Sequence, residues 1–285
     1  MNIKKLYNDA VARLKSAEIP DVEYEISFML GHILKLNRAQ LFLYEGDISA
    51  ADELIFQENI ERRLRREPLA YIIGEQEFWS LPFHVTPDVL IPRPETELLV
   101  EKTLQVVKER IGDDKGPVLE LGTGSGIISI ILALEIPRCS IFSVDCSFPA
   151  LAVARANALR HKVYDRVHLI NSDWLSALKK GWRFPVIVSN PPYVARETLA
   201  ALQPEVNLFE PHLALDGGDK GMEIIRMLAV EIETFLEPDG WFLMEIGSDQ
   251  EDLVIDRFSS IKQYDNIKVH RDYAGLPRVF QARHI

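Results

Sequence analysis

Residues 117–126 read PVLELGTGSG, and this stretch decides the fold. A short apolar run ends in three glycines at alternate positions, and the apolar segment IISIILALE follows at 127–135. A glycine-rich turn between a strand and a helix lets a ligand approach the backbone closely. A dinucleotide fingerprint, G-x-G-x-x-G, needs its third glycine one place later, where Ile127 stands. The stretch therefore predicts a strand, a ligand-binding loop and a helix, and it weakens the interpretation as a pyrophosphate site.

The same alternation of strand and helix continues along the chain. Further apolar strands are predicted at 140–145, 167–173, 186–190 and 240–247, with helices at 150–160, 223–236 and 251–261. Alternating strands and helices are typical of a parallel, doubly wound α/β sheet. In such a sheet, ligands bind at the carboxyl ends of the strands.

Three segments with different patterns suggest the domain organisation. Residues 1–75 have helical periodicity and predict a small all-helical domain. Residues 76–92 are rich in aromatic and β-branched side chains and predict a β-hairpin linker. Residues 93–285 then predict the α/β domain, which begins with a helix running to about Arg110.

Local signals inside the helical segment can be assigned in more detail. Asp21, Asn37 and Ser49 are placed to cap helices. A cluster of four arginines lies in the run Arg62-Arg63-Leu64-Arg65-Arg66. We favour the interpretation that it forms a solvated helix face. The alternative is a surface that contacts an acidic partner or RNA. The whole segment carries 10 basic and 13 acidic residues, so it is not basic.

Composition limits the class of protein. The net charge is −11 and the pI about 5.2, so we expect no stable nucleic-acid binding, although a basic protein partner is compatible. Cys139 and Cys146 lie in no metal-binding spacing, so we predict reduced thiols and no metal site. No apolar run approaches the ~20 residues that a membrane span needs. We expect a cytoplasmic enzyme, and a monomer.

Acidic side chains follow the second and third strands of the predicted sheet. Asp145 ends one strand, where a carboxylate can accept hydrogen bonds from ribose hydroxyls, while Ser147 can cap the next helix. Asp173 can accept from an adenine amine, and Trp174 can cover the ring. With the glycine loop, three consecutive strand ends thus present groups that suit a nucleoside ligand.

The fourth strand ends in Asn190-Pro191-Pro192-Tyr193. Proline has a fixed φ and no N–H, and it forces the preceding residue into extended geometry. The carbonyls of Asn190 and Pro191 are therefore expected to stay free as acceptors. Together with the Asn190 Oδ1 atom they predict a site for a planar NH₂ group, with the ring of Tyr193 packed on its face.

Both motifs resemble known methyltransferases. The glycine spacing resembles S-adenosylmethionine-dependent methyltransferases of the Rossmann-like class. N-P-P-Y after a strand resembles amino-methyltransferases, whose two branches modify adenine N6 in nucleic acid and glutamine N5 in protein. Other stretches resemble the second branch, the PrmC/HemK family of release factor glutamine methyltransferases: EFWSLPFHVTPDVLIPRPETE at 77–97, NSDW at 171–174, FEPHLALDGGDKG at 209–221, EIG at 245–247 and RDYAGLPRV at 271–279.

The resemblance implies a reaction and a set of roles. The substrate would be the glutamine of the Gly-Gly-Gln motif in class-1 peptide chain release factors. The cofactor would be S-adenosylmethionine, which methyl transfer converts to S-adenosylhomocysteine. Cofactor-binding residues would be Gly122, Thr123, Gly124, Ser125, Gly126, Asp145, Asp173, Trp174 and Asn190. Asn190, Pro191 and Tyr193 would be catalytic, and with Pro192 they would bind the glutamine amide. Arg93, Pro94 and Glu97 would lie near the cofactor, and Glu210-Pro211 would shape the substrate side.

Two other functions stay open at this point. A DNA or RNA adenine N6-methyltransferase could use the same pocket on a flipped base, but it would need a basic recognition domain. A cofactor-binding module without transferase activity would leave Asn190 and Tyr193 unexplained. Methyl transfer to an amide needs no general base beforehand, so none of the seven histidines is assigned a catalytic role.

Overall fold

The computed structural model describes residues 2–110 and 116–285. Residue 1 of the predicted helical segment and residues 111–115 of the predicted α/β domain lie outside the described residues. The chain forms two compact units. The first runs to Glu75 and also includes Gln203–Phe209, whereas the second comprises Gln76–Leu202 and Glu210–Ile285.

The first unit is helical. Its helices are α1 (Ile3–Ser16), α2 (Val22–Leu34), α3 (Arg38–Phe42), α4 (Ala50–Leu64), α5 (Leu69–Ile73) and, from the later segment, α9 (Pro204–Phe209). Apolar residues at helical spacing form its core, among them Leu6, Leu14, Ile26, Met29, Phe56 and Ile60. No expectation placed residues 203–209 in this unit, because a segment of seven residues carries no local signal of the distant helices that it joins.

Helix capping follows local chemistry at two of the three predicted sites. Asn37 and Gln40 form a capping box at α3, and the Ser49 side chain accepts from the Asp52 amide at α4. Asp21 precedes α2 as predicted, but its side chain makes no capping bond, because its backbone is left-handed with φ 49°. The predicted N-cap position at Asp21 is therefore confirmed, without a side-chain bond.

The arginine run at 62–66 is not a solvated face. Arg63 is buried and binds Glu25 and Glu205. Arg66 also pairs with Glu205, and Arg62 pairs with Glu67. The favoured interpretation was therefore wrong for these three arginines, because their partners lie mostly far away in sequence.

The second unit begins near a two-stranded hairpin of β1 (Glu75–Phe78) and β2 (Leu81–His84). Both turn residues, Trp79 and Ser80, have positive φ, as the favoured two-residue hairpin turn requires. The predicted linker covered 76–92, but strand structure ends at His84. Phe78 and Phe83 pack edge to face and join the core of the second unit.

A seven-stranded sheet dominates the second unit. Its strands are β3 (Val118–Leu121), β4 (Ile141–Asp145), β5 (Val167–Asn171), β6 (Phe184–Ser189), β7 (Leu236–Glu245), β8 (Tyr264–Arg271) and β9 (Pro277–His284). Their order is β5-β4-β3-β6-β7-β9-β8. The first five are parallel, as predicted, and their carboxyl ends therefore share one edge.

Helices cover both faces of this sheet. They are α6 (Thr96–Arg110), α7 (Ile127–Glu135), α8 (Phe148–Arg160), α10 (Glu223–Glu231) and α11 (Glu251–Ser259), with short 3₁₀ turns at Arg196–Ala201, His212–Ala214, Asp219–Gly221 and Ile232–Phe235. Alternate strand residues enter separate cores: Val118 packs with α6 and α7, whereas Leu119 packs with α10 and α11. Among the helices described, none is both long and apolar enough to cross a membrane.

The two C-terminal strands were not predicted, and they make the sheet mixed. β9 is antiparallel to both β7 and β8. The edge strand β8 alternates buried or half-buried residues with exposed polar ones, so it lacks the continuous apolar run that marked the inner strands. The expectation of a purely parallel sheet is corrected accordingly.

Candidate functional site

A cavity of about 240 Å³ opens at the carboxyl ends of β3, β4, β5 and β6. Each of the four strands contributes the residues that follow it, and the segment before α6 forms a further wall. The sequence-predicted residues that line it are Gly122, Thr123, Gly124, Ser125, Asp145, Asp173, Trp174, Asn190 and Pro192. Gly126, Pro191 and Tyr193 are not among the lining residues.

The glycine loop after β3 has space on one side and none on the other. A Cβ atom added at Gly124 would meet nothing within 4 Å, and its φ is +54°. A Cβ atom at Gly126 would lie 3.1 Å from the Cβ of Ala154 on α8. Gly124 therefore leaves room at the cavity, whereas Gly126 permits close helix packing.

Asp145 is fixed at the end of β4 by backbone amides. Its carboxylate accepts from the Gly124 amide at 2.8 Å and from the Ser147 amide at 2.8 Å. Burial raises the pKa of Asp145, and this effect outweighs the hydrogen bonds from the two amides, which lower it. The Ser147 side chain caps α8, as predicted, so Asp145 is not needed for that role. A carboxylate has about four acceptor positions, and two remain for a ligand.

The end of β5 presents an exposed acid and a half-buried ring. No donor within the described residues bonds the Asp173 carboxylate. Trp174 has a left-handed backbone with φ 46°, which is uncommon for a bulky residue and occurs often at functional sites. Its ring packs against the core beneath the cavity. Asn171 links the two strand ends by donating to the carbonyls of Asp145 and Cys146.

The fourth strand end has free acceptors. Within the part of the chain that the structure describes, no donor bonds the carbonyl of Asn190 or Pro191. The Asn190 Nδ2 atom donates to the Thr96 hydroxyl at 3.3 Å, and none of the described residues donates to the Oδ1 atom of the same amide. The residues beyond the motif are held in place, because Val194 pairs with Asp216 as an isolated bridge.

Tyr193 is held by contacts on its core side and does not line the cavity. Its ring packs against the core, and its hydroxyl donates to Glu245 Oε1 at 3.0 Å. Burial, followed by the nearby Glu245 carboxylate, raises the pKa of Tyr193 far above its usual value, so the phenol keeps its proton. The tyrosine therefore anchors the motif from the side of the core.

Several residues in this network escaped the sequence analysis. Glu245 ends β7 at the same sheet edge as Asp145, and that position was the available signal. Gln250 is buried and donates to the carbonyls of Tyr193 and Gly221, which holds the loop beyond the motif. Thr96 gave no local signal, because its partners lie at least 94 residues away.

The segments near Arg93 and Glu210 form one wall of the cavity. Glu210 is buried, pairs with Arg93 and accepts from the Ile91 amide at 3.1 Å. Arg93 and Pro211 line the cavity. Glu97 does not line it; its carboxylate accepts instead from the Trp79 amide in the hairpin.

The strand order and the glycine loop define a Rossmann-like methyltransferase. A family profile described as "Methyltransferase small domain" matches residues 95–211, and one described as "PrmC N-terminal domain" matches residues 5–74. Among solved structures, the catalytic domain of hMettl16 in complex with the MAT2A 3'UTR hairpin 1 is similar at TM-score 0.56. It is 13% identical, and the match covers 83% of this chain and 81% of that one. At that identity the likeness concerns the fold alone.

Curated relatives cover the whole chain. A release factor glutamine methyltransferase of Koribacter versatilis is 41% identical over 99% of both chains. One of Moorella thermoacetica is 38% identical over 99% of this chain and 98% of that one. One of Geobacter sulfurreducens is 36% identical over 99% of this chain and 96% of that one. The chain belongs to the release factor glutamine methyltransferase family.

Proposed function

We propose that this protein transfers a methyl group from S-adenosylmethionine to the side-chain amide nitrogen of the glutamine in the Gly-Gly-Gln motif of class-1 peptide chain release factors. The observation that carries the proposal is the cluster of free acceptors at the end of β6, beside a cavity that suits a nucleoside cofactor. The names of the relatives supply the substrate class.

The residues at the four strand ends fit the cofactor. The methyltransferase family and fold imply S-adenosylmethionine. The loop Gly122–Gly126 would hold its methionine part, with Gly124 leaving the space that a side chain would fill. Asp145 would accept from the ribose hydroxyls. Asp173 and Trp174 would bind the adenine. When bound, the cofactor supplies an electrophilic methyl group and leaves as S-adenosylhomocysteine.

The protein groups at Asn190 and Pro191 act on the substrate amide. An amide nitrogen is a weak nucleophile because its lone pair is delocalised into the carbonyl group. The Oδ1 atom of Asn190, a residue that lines the cavity, and the free Pro191 carbonyl beside the cavity accept its two N–H bonds and direct the lone pair along the line of transfer. They also stabilise the positive charge that develops on nitrogen, in the manner of an oxyanion hole with the sign reversed. The methylated nitrogen then loses one proton to water.

The adenine alternative is not favoured. Its chemistry at Asn190 would be similar, but the curated relatives quoted above are all named for release factor glutamine. The helical segment 1–75 also carries more acidic than basic residues, which does not suit a phosphate backbone. We assign to this helical domain the recognition of the release factor away from its Gly-Gly-Gln loop. A translation factor as substrate implies a cytoplasmic enzyme, and we expect it to act as a monomer.

A transfer assay tests the proposed substrate. The protein is incubated with radiolabelled S-adenosylmethionine and one of three acceptors: a release factor, the same release factor with its Gly-Gly-Gln glutamine replaced by alanine, and duplex DNA. Label on the first acceptor alone is expected. Label on DNA, or equal label on both forms of the release factor, would refute the proposal.

A further inference from the structure

A buried carboxylate connects the two ends of the N-P-P-Y motif. Thr96 and Glu245 are each 1% exposed. The Thr96 hydroxyl donates to Glu245 Oε2 at 2.7 Å, and the Tyr193 hydroxyl donates to Glu245 Oε1 at 3.0 Å. The Thr96 oxygen in turn accepts from Asn190 Nδ2 at 3.3 Å. A chain of hydrogen bonds therefore runs from Tyr193 through Glu245 and Thr96 to Asn190.

The direction of these bonds is set by the chemistry of the groups. Both carboxylate oxygens of Glu245 accept hydrogen bonds here, and a hydroxyl has a single hydrogen to donate. Because Thr96 gives its hydrogen to Glu245, its oxygen can only accept on the side of Asn190. An asparagine amide can be turned by about 180°, which exchanges its donor and its acceptor. Here only the orientation with Nδ2 toward Thr96 is satisfied.

We propose that Glu245 is a positioning residue which, through Thr96, fixes the polarity of the Asn190 amide so that its Oδ1 atom faces the substrate NH₂ group. The inference rests on the proposed function and deepens it. Asn190 lines the cavity, whereas Glu245 does not, so Glu245 acts through another residue. The bond from Tyr193 satisfies the second carboxylate oxygen and holds Glu245 in place.

The reversed amide would oppose the reaction. With Oδ1 turned toward Thr96, the Asn190 amide would present its own NH₂ group to the substrate NH₂ group. Two donors would then face each other, and no acceptor would stabilise the charge on nitrogen. Misplaced electrostatic groups of this kind typically cost about 10²-fold in turnover.

Matched variants at Thr96 test this hydrogen-bond relay, which is the chain from Glu245 through Thr96 to Asn190. Thr96→Val keeps the shape and removes the hydroxyl, whereas Thr96→Ser keeps the hydroxyl. We expect kcat on the release factor to fall about 30- to 100-fold in Thr96→Val and to stay within about threefold of wild type in Thr96→Ser. Dissociation constants for S-adenosylhomocysteine should be unchanged in both, although Thr96 borders the cavity. A loss of cofactor affinity that accounts for the loss of turnover would overturn the proposal.

A double variant separates positioning from general support of the structure. In an Asn190→Ala background there is no amide to orient, so adding Thr96→Val should lower kcat no further. A full further loss would overturn the proposal. If Thr96→Val folds poorly, Glu245→Gln serves instead, because its amide can donate to Thr96 and reverse the relay; the same dependence on Asn190 is expected.

A spectroscopic measurement reports the orientation without turnover. The side-chain amide of Asn190 is assigned in ¹⁵N–¹H spectra by its loss in Asn190→Ala. Its resonances should move in Thr96→Val and stay in place in Thr96→Ser. Unmoved resonances in both would refute the positioning role. If the spectra respond as expected but wild type methylates no release factor, the proposed substrate fails and the relay stands.

Discussion

The carboxylate of Asp145, at the end of β4, accepts a hydrogen bond of 2.8 Å from the amide of Gly124 in the loop after β3. The two neighbouring strand ends are therefore linked at the point where a nucleoside ligand would lie. The same carboxylate also holds the Ser147 amide that opens α8. The loop, the acid and the helix thus form one rigid wall of the cavity.

Replacing Asp145 should weaken cofactor binding. Asp145→Asn keeps one acceptor for a backbone amide but replaces the second oxygen, which serves the Ser147 amide or the Gly124 amide and would also bind a ribose hydroxyl, with an NH₂ group. Hydrogen bonds to charged groups contribute about 1.5–3 kcal/mol, so the dissociation constant for S-adenosylmethionine should rise about 10- to 100-fold. Calorimetric titration measures it, with Asp165→Asn, at an exposed position, as the control. An unchanged constant would exclude Asp145 from the cofactor site.

Alanine at two glycines should have opposite consequences. Gly126→Ala should lower the free energy of unfolding by about 2–4 kcal/mol, because its φ is +83° and the new Cβ meets Ala154 at 3.1 Å. Gly124→Ala carries mainly the cost of its positive φ, about 1–2 kcal/mol, but it should weaken cofactor binding at least about tenfold. Urea unfolding and ligand titration of both variants check this. Equal effects on stability would contradict the packing role of Gly126.

Replacing Asn190 should lower turnover strongly and cofactor affinity only slightly. Asn190→Ala removes one of the two proposed acceptors, so turnover should fall about 10²- to 10³-fold. The dissociation constant for S-adenosylmethionine should stay within about threefold, because the other strand ends are intact. Asn266→Ala, at an exposed position of β8, is the matched control. Parallel losses of binding and turnover would show that Asn190 serves the cofactor instead.

The buried Glu120 predicts a pH-dependent stability. Burial raises the pKa of Glu120 from 4.5 to about 8. Between pH 4.5 and 8 the folded protein keeps the Glu120 proton, whereas the unfolded chain has lost it. The free energy of unfolding is therefore highest below about pH 4.5 with respect to this group, and it falls as the pH rises toward 8. Relative to Glu120→Gln, wild type should therefore lose stability steadily between about pH 5 and 8, on the order of 1 kcal/mol per pH unit. A difference in stability that is constant with pH would contradict a buried neutral acid.

Arg63 and Arg65 form a matched pair for the helical unit. Arg63→Ala leaves the partly buried Glu25 and Glu205 without their shared cation and should cost about 3–5 kcal/mol in the free energy of unfolding. Arg65 is exposed, so Arg65→Ala should change it by less than about 0.5 kcal/mol. Denaturant unfolding followed by circular dichroism compares them. Similar small effects would restore the interpretation of a solvated face.

Local features of the fold could be predicted, and non-local ones could not. The caps at Asn37 and Ser49 depend on neighbouring residues, and so do the strand–loop–helix units with apolar strands. The ion pairs of Arg63 depend on carboxylates 38 and 142 residues away, which no local pattern reveals. The polar edge strand β8 escaped because it is stabilised by pairing with β9 and not by a continuous apolar run.

The candidate site divides in the same way. Residues at or just beyond a strand end, such as Asp145, Asp173 and Asn190, were found because parallel strands bring their carboxyl ends together. Thr96 and Glu245 support the site from 94 and 55 residues away from Asn190 in the chain, and their role follows from hydrogen-bond direction. Tyr193 was expected on the substrate side, but its hydroxyl is bound to Glu245.

The most direct test of the central claim is to locate the methyl group. A release factor is treated with S-adenosylmethionine and either wild type or Asn190→Ala, digested, and the peptide containing Gly-Gly-Gln is fragmented in a mass spectrometer. We expect one added methyl on the glutamine side chain with wild type and almost none with the variant. A methyl group on another residue, or an unmodified peptide with wild type, would contradict the proposed activity.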